Sequence, residues 1–388
     1  MKPDVFDDLD RQLVHALQID GRAPFARIAT ALGVSDQTVA RRYTRLRTNG
    51  LIQVLGLTDA RPLGETAWFL RVRCRPDAAV PVAEALARRP DTSWVALMSG
   101  GTEITVVVRS GSEQDSDGLL LRELPRTPQV VDVTAQYMLH QFFGGQQGLV
   151  NKSGALSDAQ VELVRAGASQ EVATPLGTSS GFGAGVSLSM DAAFGTGTGS
   201  GAAGFGAGLG AGPAVGAGGG PLSEGAVPPA AAVVLGEGDR RLLGVLELDG
   251  RAPLGDLAAA TGWSQSTVRR RLAELRELGV LYFDVDYDGR LFDIGTRVIL
   301  WMAVPPSDLH ETGERIAAHP EVACCYASTG KHNLFAIAIC SDTAAFYRYL
   351  TVRVAALPAI RRLETAPMIR RVKGPGPVFT GAPLRRGR

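Results

Sequence analysis

Cysteine is scarce in this chain of 388 residues: four, at Cys74, Cys324, Cys325 and Cys340. None forms a C-x-x-C pair, and the adjacent Cys324 and Cys325 would point to opposite faces of a strand. That excludes a zinc ribbon and leaves reduced thiols filling apolar space. Histidine is also thin, with five residues and no H-x-x-x-H spacing, so no metal ligand is nominated. No run of 18 or more apolar residues is present, and the acidic start MKPDVFDDLD lacks the apolar core of a secretory signal. The expectation is a soluble cytoplasmic protein with no membrane partner. Lys and Arg total 40 against 39 Asp and Glu, a net charge of +1, so any basic footprint for nucleic acid must be local. Walker, Rossmann, kinase and hydrolase signatures are missing, so no catalytic residue and no cofactor are nominated.

What the chain does have is a repeat. Residues 10–52 meet 239–281 without a gap, and 20 of those 43 positions are identical. IDGRAP (19–24) faces LDGRAP (248–253), and SDQTVARRYTRLRTNG (35–50) faces SQSTVRRRLAELRELG (264–279). One further residue of shift aligns the later part of each copy, with Pro128 on Pro358 and Met138 on Met368. Each copy holds a small unit and then a larger one. Between the copies the composition changes: 17 of the 44 residues in 177–220 are Gly, and Asp191 is the only charge among them. Such a segment has too little apolar bulk to offset its ordering entropy and reads as a flexible linker. Before it, LSDAQVELVRAG (156–167) reads as one helix with Ser157 at its N-cap.

In the small unit, Leu9, Leu13, Val14 and Leu17 form one helical stripe, ARIATAL (26–32) a short second helix, and Ser35 caps a third helix from Asp36 to Thr48. A Gly-containing turn before the third of three short helices describes a helix-turn-helix, and LIQVLGL after it a strand or wing. Val39, Tyr43 and Leu46 face the core. Gln37, Thr38, Arg41, Thr44 and Arg45 face outward, as do Ser266, Thr267, Arg269 and Arg270 in the second copy. Arg donates bidentately to guanine, Gln pairs with adenine, and Ser or Thr reaches phosphate or base edges. The DNA-binding candidates are therefore Ser35, Gln37, Thr38, Arg41, Arg42 and Arg45, and Ser264, Ser266, Thr267, Arg269 and Arg270. Arg42 either meets DNA or braces the helix. Arg22 and Arg251, beside the Asp-Gly turns, either touch phosphate or serve the turn.

Residues 65–140 alternate as β, α, β, β, α, β: TAWFLRVRC, AVPVAEALARR, TSWVALMSG, TEITVVVRS, GLLLRELPR and QVVDVTAQYML. The second copy repeats the order, the split ferredoxin-like arrangement. Strands as apolar as VILWMAV and LFAIAI need cover on the face away from the helices, and a second sheet of the same kind supplies it. The fold class is α+β: two copies of a winged helix-turn-helix domain followed by a ferredoxin-like domain, joined by a disordered Gly-rich linker. The boundaries are 1–58, 63–143, 144–236 (linker), 237–287, 292–373 and 374–388 (flexible tail).

The strings LDRQLVHALQIDGRAP and IATALGVSDQTVARRYTRLRTNGLI, with their second-copy counterparts, resemble the Lrp/AsnC (feast/famine) family of transcription regulators. The likeness covers roughly 1–142 and 237–373. It implies sheet-to-sheet dimerisation, two helix-turn-helix units presented to double-stranded DNA, further homo-oligomerisation and a place at the nucleoid. It also implies an amino acid or related small molecule as effector near the turn between the second and third strands of each sensing unit. The effector residues would be Gly100, Gly101, Thr102 and Glu103, and Gly330, Lys331, His332 and Asn333. The family places Asp three residues after the Gly of this turn. Glu103 and Asn333 stand there instead, so a purely structural turn is the competing reading. One chain carrying both reading heads reads as a covalent pseudo-dimer, the alternative being pairing between chains, first copy with first copy.

Two rivals remain. Siroheme decarboxylases resemble the same fold and occur as paired halves, but they need no basic recognition helix, and the histidines here form no evident pair. A metabolite-sensing module without DNA binding would leave Arg41 and Arg45 without a task.

Overall fold

The computed structural model describes residues 6–75, 77–111, 118–145, 147–170 and 232–376. In chain order the first copy runs α1 (Asp8–Ile19), α2 (Phe25–Leu32), α3 (Asp36–Thr48), β1 (Ile52–Thr58), β2 (Thr66–Cys74), α4 (Ala79–Arg88), β3 (Thr92–Met98), β4 (Glu103–Ser110) and β5 (Val130–Phe143). After α5 (Asp158–Gln170), the second copy runs α6 (Glu237–Leu248), α7 (Leu254–Thr261), α8 (Gln265–Glu277), β6 (Leu281–Tyr287), β7 (Thr296–Ala303), α9 (Leu309–Ala318), β8 (Val322–Ser328), β9 (Leu334–Cys340), α10 (Thr343–Arg348) and β10 (Arg362–Arg371). Local chemistry sets the boundaries. Asp7 and Asp10 form a capping box on α1. Gly33 and Gly262 take the left-handed conformation that ends α2 and α7. Ser35 and Ser264 each accept the backbone N–H three residues on, at 3.2 Å. The helix expected over 118–126 is a single wide turn, Gly118–Glu123, ahead of Pro125.

The wings pair with each other rather than standing alone. β1 and β6 form an antiparallel ribbon from Ile52↔Tyr287 to Thr58↔Leu281, with Leu55 opposite Asp284 at its centre. Leu55 and Asp284 are counterparts in the repeat, so every residue in the ribbon faces its counterpart's mirror position. That is the signature of a two-fold, isologous contact. One face of the ribbon, with Val54 and Phe283, joins a core shared by both helix-turn-helix units, including Leu13, Leu17 and Leu46 of the first and Leu242, Leu246 and Leu275 of the second.

The two larger units follow the same symmetry. Each sheet has the ferredoxin-like order, β5-β2-β4-β3 and β10-β7-β9-β8. The last strand of each copy reaches across to the other, β5 to β8 and β10 to β3, and the eight strands close into a barrel. The second sheet therefore does cover the first, and the edges are sealed as well. Phe69, Met98, Ile299, Trp301 and Phe335 fill the interior, while the helices pack outside on Leu70, Val106 and Ile104, and on Leu300, Met302 and Ala336.

Two expected boundaries move. The linker over 144–236 begins with packed chain. Val150, Leu156 and Val164 are buried in the helix-turn-helix core, and His15 Nδ1 accepts the Leu156 N–H at 3.1 Å. Four widely spaced apolar side chains, counting Val161, are enough to dock the helix predicted there, and Ser157 and Gln160 cap it reciprocally. The Gly-rich run 177–220 lies outside the described residues. The first residue of the tail expected over 374–388 is also packed, since Gly374 accepts the Trp94 N–H at 2.9 Å. Residues 377–388 lie outside the described residues.

Candidate nucleic-acid interface and effector turn

The outward face of α3 presents Ser35, Gln37 and Arg41 to solvent, with Thr38 half-exposed. On α8 and its cap the exposed residues are Ser264, Ser266, Arg269 and Arg270, again with the first-turn threonine, Thr267, half-exposed. Both caps leave hydroxyls in a small cluster, Ser35 with Thr38 at 2.8 Å and Ser264 with Ser266 and Thr267 at 2.8 and 2.9 Å.

Four arginines assigned to DNA are occupied within the protein. Arg42 binds Asp7 and Asp10 at 2.6 and 2.9 Å. It braces α3 against α1, as Arg271 braces α8 through Asp239 at 2.7 Å. The Arg271 hydrogen bond holds the Asp239 carboxyl below the usual range. Arg45, although exposed, is held by the fully buried Asp10 at 2.5 Å. A buried carboxylate demands charged partners, and these two arginines supply them. Arg22 donates to the carbonyls of Gly250 and Ala252 at 2.8 and 3.0 Å. Arg251 donates to those of Gly21 and Ala23 at 2.7 and 3.0 Å. Burial lowers both guanidinium pKa values. Arg22 and Arg251 are therefore a crossed clasp between the copies rather than phosphate contacts. Arg47 and Arg276 extend it to Asp249 and Asp20 at 2.7 and 3.6 Å. The glycine beside each arginine is needed because the turn lies against the ribbon: a Cβ at Gly21 would sit 2.6 Å from Phe283 Cβ, and one at Gly250 would sit 2.8 Å from the Leu55 carbonyl carbon.

The effector turns lie at the barrel end remote from the ribbon, and their distinctive residues point inward. Glu103 is buried and pairs with Arg71 at 2.8 Å. Arg71 also holds Glu364 at 2.6 Å and stacks over the Trp301 ring. Asn333 clamps the backbone of Val304 through both amide atoms at 2.9 and 2.8 Å. His332 is buried, its carbonyl accepting from Gln136 and Ser328. Gly100, Gly101, Thr102, Gly330 and Lys331 remain at the surface or near it. Both departures from the family pattern thus serve the barrel, while the remaining residues of the two turns, apart from His332, stay accessible.

Sequence reading missed one juxtaposition. His140 on β5 and His310 on α9 come within 5.7 Å between ring centroids, with Phe142 edge-on to His140 and tilted against His310. Only the cross-copy strand pairing brings them together. Among the described residues no group of three His, Cys, Asp or Glu side chains is placed to hold a metal ion, and no helix is long and apolar enough to cross a membrane.

Comparison with known proteins agrees with this architecture. Residues 6–47 and 235–276 each match the AsnC-type helix-turn-helix domain, and 297–378 match the Lrp/AsnC ligand binding domain. The HTH-type transcriptional regulator FL11 of Pyrococcus horikoshii is 29% identical over 103 residues, 26% of this chain and 68% of the relative. An uncharacterized HTH-type transcriptional regulator of Pyrococcus furiosus is 30% identical over 122 residues, 31% of this chain and 82% of the relative. The crystal structure of the siroheme decarboxylase NirDL superposes with a TM-score of 0.54 at 14% identity, covering 95% of this chain and 93% of that one. At that identity the likeness is one of fold.

Proposed function

Because this chain belongs to the Lrp/AsnC family of HTH-type transcriptional regulators, we propose that it is a sequence-specific, non-enzymatic DNA-binding regulator acting as a covalent pseudo-dimer. Its partner is double-stranded DNA, read by α3 and α8. The observation that carries this reading is the ribbon: a two-fold axis through Leu55 and Asp284 relates the copies, so the two helices must meet half-sites in inverted orientation. The half-sites differ in sequence because the heads do, with Gln37, Thr38 and Arg41 on one and Ser266, Thr267, Arg269 and Arg270 on the other. In vitro selection from random duplexes tests this. Wild type selects one motif with two unlike halves. Arg41→Ala erases information in one half and Arg269→Ala/Arg270→Ala in the other. Affinity that follows salt alone, with no selected motif, would contradict it.

The decarboxylase reading has one observation on its side, since the paired-copy architecture matches NirDL nearly end to end. Fold does not carry the reaction with it, and siroheme added to the protein should leave its own absorption band unshifted.

A further inference from the structure

Between the ribbon and the near mouth of the barrel lies a chamber of about 870 Å³. The floor is barrel interior, including Phe69, Phe335 and Met368; the roof includes Leu57, Tyr282, Asp284 and Asp286 of the ribbon. Three observations distinguish it from packing slack. First, Arg297 reaches it from β7, and its guanidinium makes no side-chain hydrogen bond or ion pair within 4 Å among the described residues, with Asp286 and Asp288 only as more distant charges. The other strand arginines around it are neutralised, Arg109 by Glu65 and Arg371 by Asp286, at 2.6 and 2.7 Å. Second, Gln18 is only 3% exposed and lines the chamber with its Oε1 unpartnered, while its Nε2 donates to Asp284 at 2.9 Å. Tyr282, Tyr287 and Tyr326 also line the chamber. Polar groups in such surroundings are ordinarily satisfied.

Third, the lining breaks the symmetry of the fold. In the roof Leu57 of the first copy corresponds to Asp286 of the second, and the lining residues Tyr282 and Asp284 correspond to Gln53 and Leu55, which do not line it. A chamber crossed by a two-fold axis whose roof is apolar at Leu57 and acidic at the equivalent Asp286 suits one asymmetric molecule rather than two copies of a small one. Its volume is near the upper end for small-molecule pockets and far exceeds what a free amino acid fills.

We propose that this chamber is the effector site of the chain, taking a single flat, largely apolar organic acid whose anionic group sits on Arg297 and whose ring body lies against Phe69, Tyr326 and Phe335. The guanidinium offers a planar two-point grip on a carboxylate. The Tyr326 and Phe335 rings, stacked at 5.3 Å with an 18° interplanar angle, give a flat wall for the ring body. The Gln18 carbonyl and the tyrosine hydroxyls meet polar substituents on the opposite side. The ribbon is at once the chamber's roof and the joint between the reading heads, so occupancy shifts their relative placement. That last step rests on the DNA-binding reading; the occupancy does not.

Fluorescence titration of the full chain with anilinonaphthalene sulfonate, a flat aromatic anion, tests the site. Phenylnaphthylamine, the same skeleton without the anionic group, is the control. One saturable sulfonate site per chain is expected, displaced by naphthoic acid. Arg297→Gln weakens the sulfonate by about tenfold or more, the scale of a lost charge-assisted contact, and leaves phenylnaphthylamine unchanged. Ala323→Trp, filling the chamber wall, excludes both probes without lowering the melting temperature. Absence of saturable binding, or sulfonate binding indifferent to both substitutions, overturns the proposal. Repeating the titration with the selected duplex separates the two readings: a probe that binds without altering DNA affinity leaves the site standing and removes its coupling to DNA.

Discussion

At the contact between the copies, Arg22 does to Gly250 and Ala252 what Arg251 does to Gly21 and Ala23. Arg47 and Arg276 cross in the same way to Asp249 and Asp20. On the outward face of the reading helices the correspondence is partial. Gln37 stands where the second copy has Ser266 and Ala40 where it has Arg269, although Thr38 and Arg41 match Thr267 and Arg270. A position on a two-fold contact must fit its own mirror image, so a change there is felt twice. A position facing DNA meets a different half-site in each copy and is free to differ. The ribbon departs from that rule: Leu55 and Asp284 oppose each other on the axis itself and differ, and Asp284 lines the chamber.

The largest expected effect breaks the symmetric side. Arg22→Ala removes two charge-assisted hydrogen bonds to carbonyls that stay buried, a loss of about 2–3 kcal/mol, and Arg251→Ala should cost the same within error by urea denaturation. A twofold difference between the two values would show that the clasp is not symmetric. Next comes the asymmetric side. Arg41→Ala and Arg270→Ala occupy equivalent positions, yet each should weaken binding to a different half-site, by about 1–3 kcal/mol if the arginine reads a base, with stability unchanged. Arg42→Ala should behave in the opposite way, lowering stability because it strips a partner from buried Asp10, and leaving the selected motif intact. Binding isotherms on duplexes altered in one half, with thermal melts of the same variants, check both statements.

The smallest effect concerns the docked segment before α5. Lys152 donates to the carbonyls of Ala317, His319 and Val322, and burial lowers its pKa from 10.5 to about 8. Between those values the unfolded chain binds more protons than the folded one, so stability rises with pH above about 8. Below 8 both states hold the proton and the cost of the buried charge is constant. Denaturation midpoints measured from pH 7 to 10 should climb, and Lys152→Met should flatten the climb.

Much of the fold was legible because caps, periodicity and the repeat all point the same way. Ser35, Ser264, Gly33 and Gly262 mark their helix ends, and Val39, Tyr43 and Leu46 recur at core spacing. The site was legible only in part. An arginine beside an Asp-Gly turn looks the same in sequence whether it meets a phosphate or a partner's carbonyl. The available signal was that DGRAP is identical in both copies while the reading faces are not. Sequence does not decide Arg42 between DNA and bracing, or foresee the contact of Arg45, because nothing local shows that Asp10 is buried beneath them. The chamber, the inward turn of Glu103 and the meeting of His140 with His310 depend on strands pairing across copies, which hydrophobic alternation alone does not specify.

The most direct test of the central claim is a graft: replace residues 36–48 with the sequence of 265–277 and repeat the selection. Two unlike heads joined by a two-fold ribbon predict that the selected motif becomes an inverted repeat of the second half-site at unchanged spacing. A motif that stays asymmetric, or that ignores the graft, would contradict the account.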